Sequence, residues 1–144
     1  MGKPELMDER LIPFLGMWIL DPDQSHYEQG EVPLGGSLKI AEKDGEVGFF
    51  MKTVEGAGDT LEANFSGIPD GIDRPMPPNS FADTLSLVFD DSHTLTSEAK
   101  KNGLVIMSAK RQIDDTGQHL VVEQTVHLLD VGSFTNEAVY VRAN

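Results

Sequence analysis

The chain has 144 residues, 11 Lys and Arg against 24 Asp and Glu, no Cys, and a formal net charge of −13. At this length one domain spanning 1–144 is expected, with a core large enough to fold unaided. So acidic a surface repels phosphate backbones, which excludes nucleic acid as a partner, and the missing thiols exclude disulfides, thiolate metal sites and Cys nucleophiles.

Residues 4–13 are expected to form one short helix. Pro4 suits a first turn, Asp8 and Glu9 place negative charge early, and Pro13 ends it. Leu6, Met7, Leu11 and Ile12 would form its buried face. Phe14–Leu20 reads as the first strand, and 21–36 as a long loop rich in Asp, Pro, Gly and Glu that ends in Gly35-Gly36. Hairpin signals then follow at regular spacing. Strands are expected at Ser37–Glu42, Glu46–Val54, Thr60–Ser66, Thr84–Phe89, Thr94–Lys101, Leu104–Ile113, Gln118–Leu129 and Phe134–Arg142. Their turns carry the residues that tight hairpins need, Asn102-Gly103 above all. A second long loop, 67–83, holds Pro69, Pro75, Pro77 and Pro78. Both long loops are expected to be mobile, and at least one of them to border the barrel mouth.

The result is all-β: about nine strands, mostly joined by short turns. Greek-key arrangements need long crossovers, and 67–83 alone is long enough to supply one. An antiparallel up-and-down barrel of about 8–10 strands with a short N-terminal helix is therefore the expected fold, and a barrel of this size holds one small molecule. No apolar run is long enough to span a bilayer, so membrane insertion is not expected. Met1–Arg10 lacks the apolar stretch of a secretory signal, and the expected location is cytoplasmic.

Period-two alternation assigns the inner face of each strand. Leu38 and Ile40 face inward, as do Val47, Phe49 and Met51; Leu61, Ala63 and Phe65; Leu85, Leu87 and Phe89; and Leu95, Ser97 and Ala99. Val105, Met107, Ala109, Arg111 and Ile113 share an inner face, and so do Leu120, Val122, Gln124, Val126 and Leu128. Two polar residues thus fall on apolar inner faces, Arg111 and Gln124. In the last strand Ala138, Tyr140 and Arg142 share one face.

Gly16-Met17-Trp18 followed by a long loop resembles the opening of the lipocalin-like, or calycin, barrels. The ordered series Gly16-Met17-Trp18-Ile19-Leu20-Asp21-Pro22, Ala82-Asp83-Thr84-Leu85-Ser86-Leu87 and Asn136-Glu137-Ala138-Val139-Tyr140 resembles more closely a family of small bacterial lipocalin-like proteins of unassigned function. Asp73-Arg74-Pro75 departs from that family's pattern, which tends to have Tyr before the Pro. The resemblance implies a barrel and no particular reaction. It also implies that Trp18 packs inside the closed end beneath an Arg of the last strand, for which Arg142 is the candidate. Such a cation–π pair contributes about 0.5–2 kcal/mol.

No catalytic motif stands out. His26, His93, His119 and His127 lack metal-ligand spacing, and no metal or cofactor is expected. Gly35-Gly36-Ser37 leads into a strand, so it is no nucleophile elbow, and Gly56-Ala57-Gly58 is a hairpin turn. Arg111 needs a partner, since an unpaired Arg inside an apolar barrel costs several kcal/mol. That partner is a ligand carboxylate, an internal group such as Glu42 or Glu55, or water reached from the strand end.

The leading reading is a binding protein for a small hydrophobic or amphipathic molecule, one that bears a carboxylate where Arg111 serves it. Arg111, Gln124 and Tyr140 would meet the polar end, and Phe49, Met51, Leu87 and Met107 the apolar remainder. The alternative is an isomerase, cyclase or hydratase using the same cavity, with Arg111, Tyr140, His26 or Tyr27 polarising a group or moving a proton. A third reading is a scaffold for protein contacts. The sequence leaves a homo-oligomer open.

Overall fold

The computed structural model describes residues 8–143. They begin with a 3₁₀ helix, Glu9–Phe14. Eleven strands follow: β1 (Gly16–Leu20), β2 (His26–Tyr27), β3 (Gly35–Lys43), β4 (Glu46–Val54), β5 (Thr60–Gly67), β6 (Arg74–Pro75), β7 (Thr84–Asp91), β8 (Thr94–Lys101), β9 (Leu104–Ile113), β10 (His119–Leu128) and β11 (Gly132–Arg142). They form one antiparallel sheet in the order β5-β4-β3-β1-β11-β10-β9-β8-β7-β6, with β2 also on β11. This is the expected up-and-down barrel, nearly closed. The two-residue strands β2 and β6 lie inside the segments read as loops.

Local chemistry explains the hairpins. Asp44 and Gly45 have φ of 54° and 86°, and Asn102 and Gly103 have 53° and 80°. Two-residue turns with both φ positive match the right-handed twist of the strands they join. Gly35 and Gly36 belong to β3, where they pair with Val54 and Thr53, and do not end a loop. A side chain at Gly36 would lie 2.7 Å from the Lys52 carbonyl oxygen.

Within the described residues the N-terminal helix departs from expectation at Pro13, Phe14 and Ile12. Residues 4–7, including Pro4, Leu6 and Met7, lie outside the described residues. Pro13 sits within the helix, and Phe14 is its last residue, not the start of the first strand. Leu11 and Phe14 are buried, but Ile12 is 54% exposed. A 3₁₀ helix repeats every three residues, which puts positions 11 and 14 on one side and 12 off it.

This helix plugs one end of the barrel. Trp18 is fully buried, and its indole N–H donates to the Phe14 carbonyl at 2.9 Å. The Arg142 guanidinium lies 4.2 Å above the indole ring. It donates to the carbonyls of Gly117 at 2.8 Å and Leu15 at 2.7 Å, and to that of Pro13. One cation thus ties the helix, the start of β1 and the β9–β10 turn to the last strand. Gly16 has φ of +118°, and a Cβ there would lie 3.2 Å from the guanidinium, so this position suits glycine twice over.

The 21–36 segment is stitched to β11. Asp21 and Glu28 donate backbone N–H groups to β11 acceptors, and Ser25 Oγ accepts from Val139 N at 2.9 Å. β1 pairs with the closed-end half of β11, and β2 takes over at Asn136 and Glu137.

Among the described residues closure is incomplete at two places: β2 pairs with β11 alone and shares no ladder with β3, and the two ends of the sheet do not meet in a ladder. β5 and β7 share no ladder; the chain between them crosses back against β7 through β6. Near the plugged end the two strands touch, and a Cβ on Gly67 would meet Leu87 at 3.4 Å. Toward the open end they part. Leu61 and Ala63, inward by alternation, are exposed, Leu61 to 58%, because nothing pairs with β5 on its far side. Leu128, also read as inward, is exposed because it lies at the open rim.

Removing the plug's largest side chain should cost most. Trp18→Ala is expected to lower the unfolding free energy by about 3–5 kcal/mol in equilibrium chemical denaturation. A loss below about 1 kcal/mol would mean that the indole is not packed as described.

Candidate functional site

Above the plug the inner faces enclose a cavity of about 360 Å³, a size suited to one small ligand. Of the seven side chains expected to contact a ligand, Arg111, Gln124, Tyr140, Phe49, Met51 and Met107 line this cavity. Leu87 does not. It is fully buried in the core that includes Trp18, Phe14 and Leu95.

Register brings the polar residues together. Arg111 on β9 faces Val122 on β10, which faces Ala138 on β11, and Tyr140 lies two residues further along. Gln124 is opposite Ala109 and Asn136, not Arg111. Its amide donates to Met107 Sδ at 3.0 Å. The shared Arg111–Gln124 hydrogen-bond site suggested by alternation is therefore not formed; the two residues occupy different levels of one wall.

Arg111 is 4% exposed. Its Nη1 donates to Ser97 Oγ at 3.1 Å and to the Ala109 carbonyl at 3.5 Å. Among the described residues it has no carboxylate partner. Glu42, one of the internal partners considered, instead accepts from Gly45 N at 2.8 Å. Glu55, the other, lies near Tyr27, whose ionisation it opposes. The Arg111 Cζ is 4.5 Å from the Phe49 ring centroid and 5.6 Å from that of Phe65. Those two rings stack at 4.8 Å. Aromatic faces offset part of the cost of burying a cation. Nε and Nη2 have no acceptor among the described residues, yet no enclosed side-chain nitrogen or oxygen of those residues is left without a partner. These two nitrogens therefore border open space, which here is the cavity.

Burial lowers the Arg111 pKa to about 10, so the guanidinium stays charged at neutral pH. Burial raises Tyr140 to about 12; Tyr27 adds to that, and the Arg111 charge opposes it. Tyr27 is raised as well, first by burial and then by Glu55. Both phenols remain neutral donors, the wrong form for a general base. Tyr27 lines the cavity, whereas His26 beside it is exposed, and no His, Asp or Glu of the described residues forms part of the wall. Among the described residues there is no cluster of His, Cys, Asp or Glu able to hold a metal.

Alternation misses Tyr27 and Phe81, which reach the cavity from the two long segments. Loops carry no period, so Tyr27 is nominated only as a proton-moving group of the alternative enzyme, and nothing in the sequence marks Phe81. Ser97 is legible as inward but not as the partner of Arg111; the register sets Ser97 opposite Ala109 and Arg111 opposite Leu95, and the guanidinium reaches Ser97 diagonally across the two strands.

The tyrosines give a direct check on the electrostatics. A phenol whose pKa is raised by folding contributes stability that is present below about pH 10 and lost as pH climbs toward its folded value. Tyrosinate absorbance of the native protein, which has 2 Tyr, should therefore lag that of the unfolded chain across this range. Two tyrosines ionising together near pH 10 in the folded state would contradict their burial.

No protein-family model matches the chain, and no curated protein matches it in sequence. Solved structures share its fold. A fatty acid binding protein of Schistosoma mansoni in complex with arachidonic acid superposes with a TM-score of 0.60 at 13% identity, covering 94% of this chain and 99% of the other. Lipid binding protein 8 of Caenorhabditis elegans gives 0.59 at 14% identity, over 96% and 100%. Zebrafish ileal bile acid-binding protein complexed with cholic acid gives 0.56 at 12% identity, over 91% and 99%. The chain has the calycin-type barrel fold of these lipid-binding proteins.

Proposed function

We propose that this protein binds a small amphipathic anion, a fatty acid or a similar lipophilic carboxylate, inside the barrel. The observation that carries the reading is Arg111: a buried cation with no carboxylate partner among the described residues and two nitrogens facing the cavity. An isolated charge in an apolar interior is costly, and a bidentate carboxylate would supply what the protein does not. Tyr140, which lines the same cavity and whose phenol burial keeps protonated at neutral pH, would donate a further hydrogen bond. Phe49, Met51 and Met107 offer the apolar walls that a hydrocarbon remainder needs, and Gln124 lies among them at another level. The shared fold with proteins named for fatty-acid and bile-acid binding supports the same class of ligand.

In this reading the chain belongs to the small lipocalin-like group that its motifs resemble. It acts as a single binding domain in the aqueous phase and uses no cofactor. The phenols' raised pKa values and the lack of His or carboxylate in the described wall favour binding over isomerase or hydratase chemistry.

Replacing Arg111 by Met is the test. Affinity for a long-chain fatty acid, read by displacement of a fluorescent probe, should fall about 10- to 100-fold, the equivalent of a charge-assisted hydrogen bond or two. The fold should persist, with stability unchanged or raised by about 1–4 kcal/mol, because a buried unpaired charge is removed. A variant that binds the acid as tightly as the parent would refute Arg111 as the headgroup site.

A further inference from the structure

The cavity has a second neighbour besides the open end of the barrel. A groove of about 1010 Å³ runs along the outside, between β3–β5 and the segment that carries β6. Phe50, Pro75 and Met76 give it an apolar floor, and Lys39, Lys43 and Glu46 a charged rim. Asn64, Phe65 and Leu85 line both this groove and the internal cavity. A wall one side chain thick therefore divides them, at the junction where β5 and β7 form no ladder.

The seam between those strands has the shape of a V. It is shut at Gly67, within van der Waals reach of Leu87, and open at Leu61 and Ala63, whose inward-facing positions meet solvent. Phe65 stands between these levels. Its ring is half-buried, stacks on Phe49, and lies beside the Arg111 guanidinium. With no strand laddered to β5 on its far side, an outward swing of this ring gives up its stacking on Phe49 and its contact with Arg111 but breaks no ladder. Apart from this seam and the short stretch where β2 and β3 share no ladder, the barrel wall of the described residues is hydrogen-bonded ladder, which a ligand would have to break in order to pass.

We propose that the amphipathic ligand enters and leaves through the β5–β7 seam, with Phe65 as the movable partition and the outer groove as the vestibule. This rests on the reading of the cavity as a lipid site and adds the route to it. The groove's apolar floor would take the hydrocarbon chain while its charged rim keeps the headgroup hydrated. Passing the seam then delivers the carboxylate to Arg111.

The native chain has no Cys, so a single introduced thiol can be labelled selectively. Ala63→Cys places one in the seam, and Leu129→Cys places one on the exposed β10–β11 turn at the open rim. Each variant is compared with itself before and after reaction with a bulky maleimide, using stopped-flow uptake and release of cis-parinaric acid. The adduct at position 63 should slow association and dissociation together by about tenfold or more, while the adduct at 129 changes both by less than about twofold. The proposal is overturned if the 129 adduct is the one that slows exchange. It is equally overturned if the 63 adduct speeds release, which would mean that the label fills the cavity. Should Ala63→Cys fail to fold, Leu61→Cys takes its place. Reaction of the thiol at position 63 with maleimide in the folded protein is read with no ligand present. An unreactive thiol shows a closed seam and removes this proposal alone, whereas a parent protein that binds no probe removes the lipid-site reading and the route with it.

Discussion

A guanidinium held inside an apolar barrel is the constraint around which the rest of this structure is arranged. Arg111 is almost wholly buried, and the protein answers its charge with weak partners only: one hydroxyl, one carbonyl and two stacked aromatic faces. Those partners are enough to keep it in place, and they leave two of its nitrogens turned toward the cavity. Ser97, Tyr140 and Arg111 bring polar groups to the wall, and Phe49, Met51 and Met107 apolar surface, with the Phe49 ring lying directly against the guanidinium. Phe65 belongs to both the site and its boundary, since the ring that helps to solvate the cation also divides the cavity from the groove outside.

The opposite end of the barrel uses its other interior cation differently. Arg142 directs its donors to backbone carbonyls of the helix, the start of β1 and the β9–β10 turn while its planar face covers Trp18. Every nitrogen of that guanidinium has a protein partner, which suits a structural plug. The contrast between two inward arginines, one fully engaged and one not, separates the part of the interior that holds the fold from the part able to hold something else.

Much of this architecture is legible in the chain. Alternation locates the nine long strands, and Asn102-Gly103 with its relatives sets the hairpins. The motif series from Gly16 to Tyr140 points to a calycin-type barrel with Trp18 at its closed end. Alternation also points Arg111 and Gln124 inward. It does not carry register, which sets Gln124 opposite Ala109 and leaves Ser97 diagonal to Arg111, within reach of its guanidinium. Nor does it tell which strand lacks a neighbour, so Leu61 and Ala63 read as buried although the open seam exposes them. Leu87 illustrates the same limit, because an inward position near the plug is core while one nearer the mouth is cavity wall. Tyr27 and Phe81 come from segments without periodicity, and only the tertiary path of those segments brings them to the site.

The claim at the centre is that the cavity recognises negative charge at one end of a lipophilic molecule. A comparison of a long-chain fatty acid with the alcohol of the same chain length, competed against one fluorescent probe at neutral pH, tests it most directly. The two ligands bury the same hydrocarbon and differ only in what they present to Arg111. The acid should bind about 10- to 100-fold more tightly, as expected for a charge-assisted pair formed away from water. Equal affinities, or a preference for the alcohol, would contradict the account.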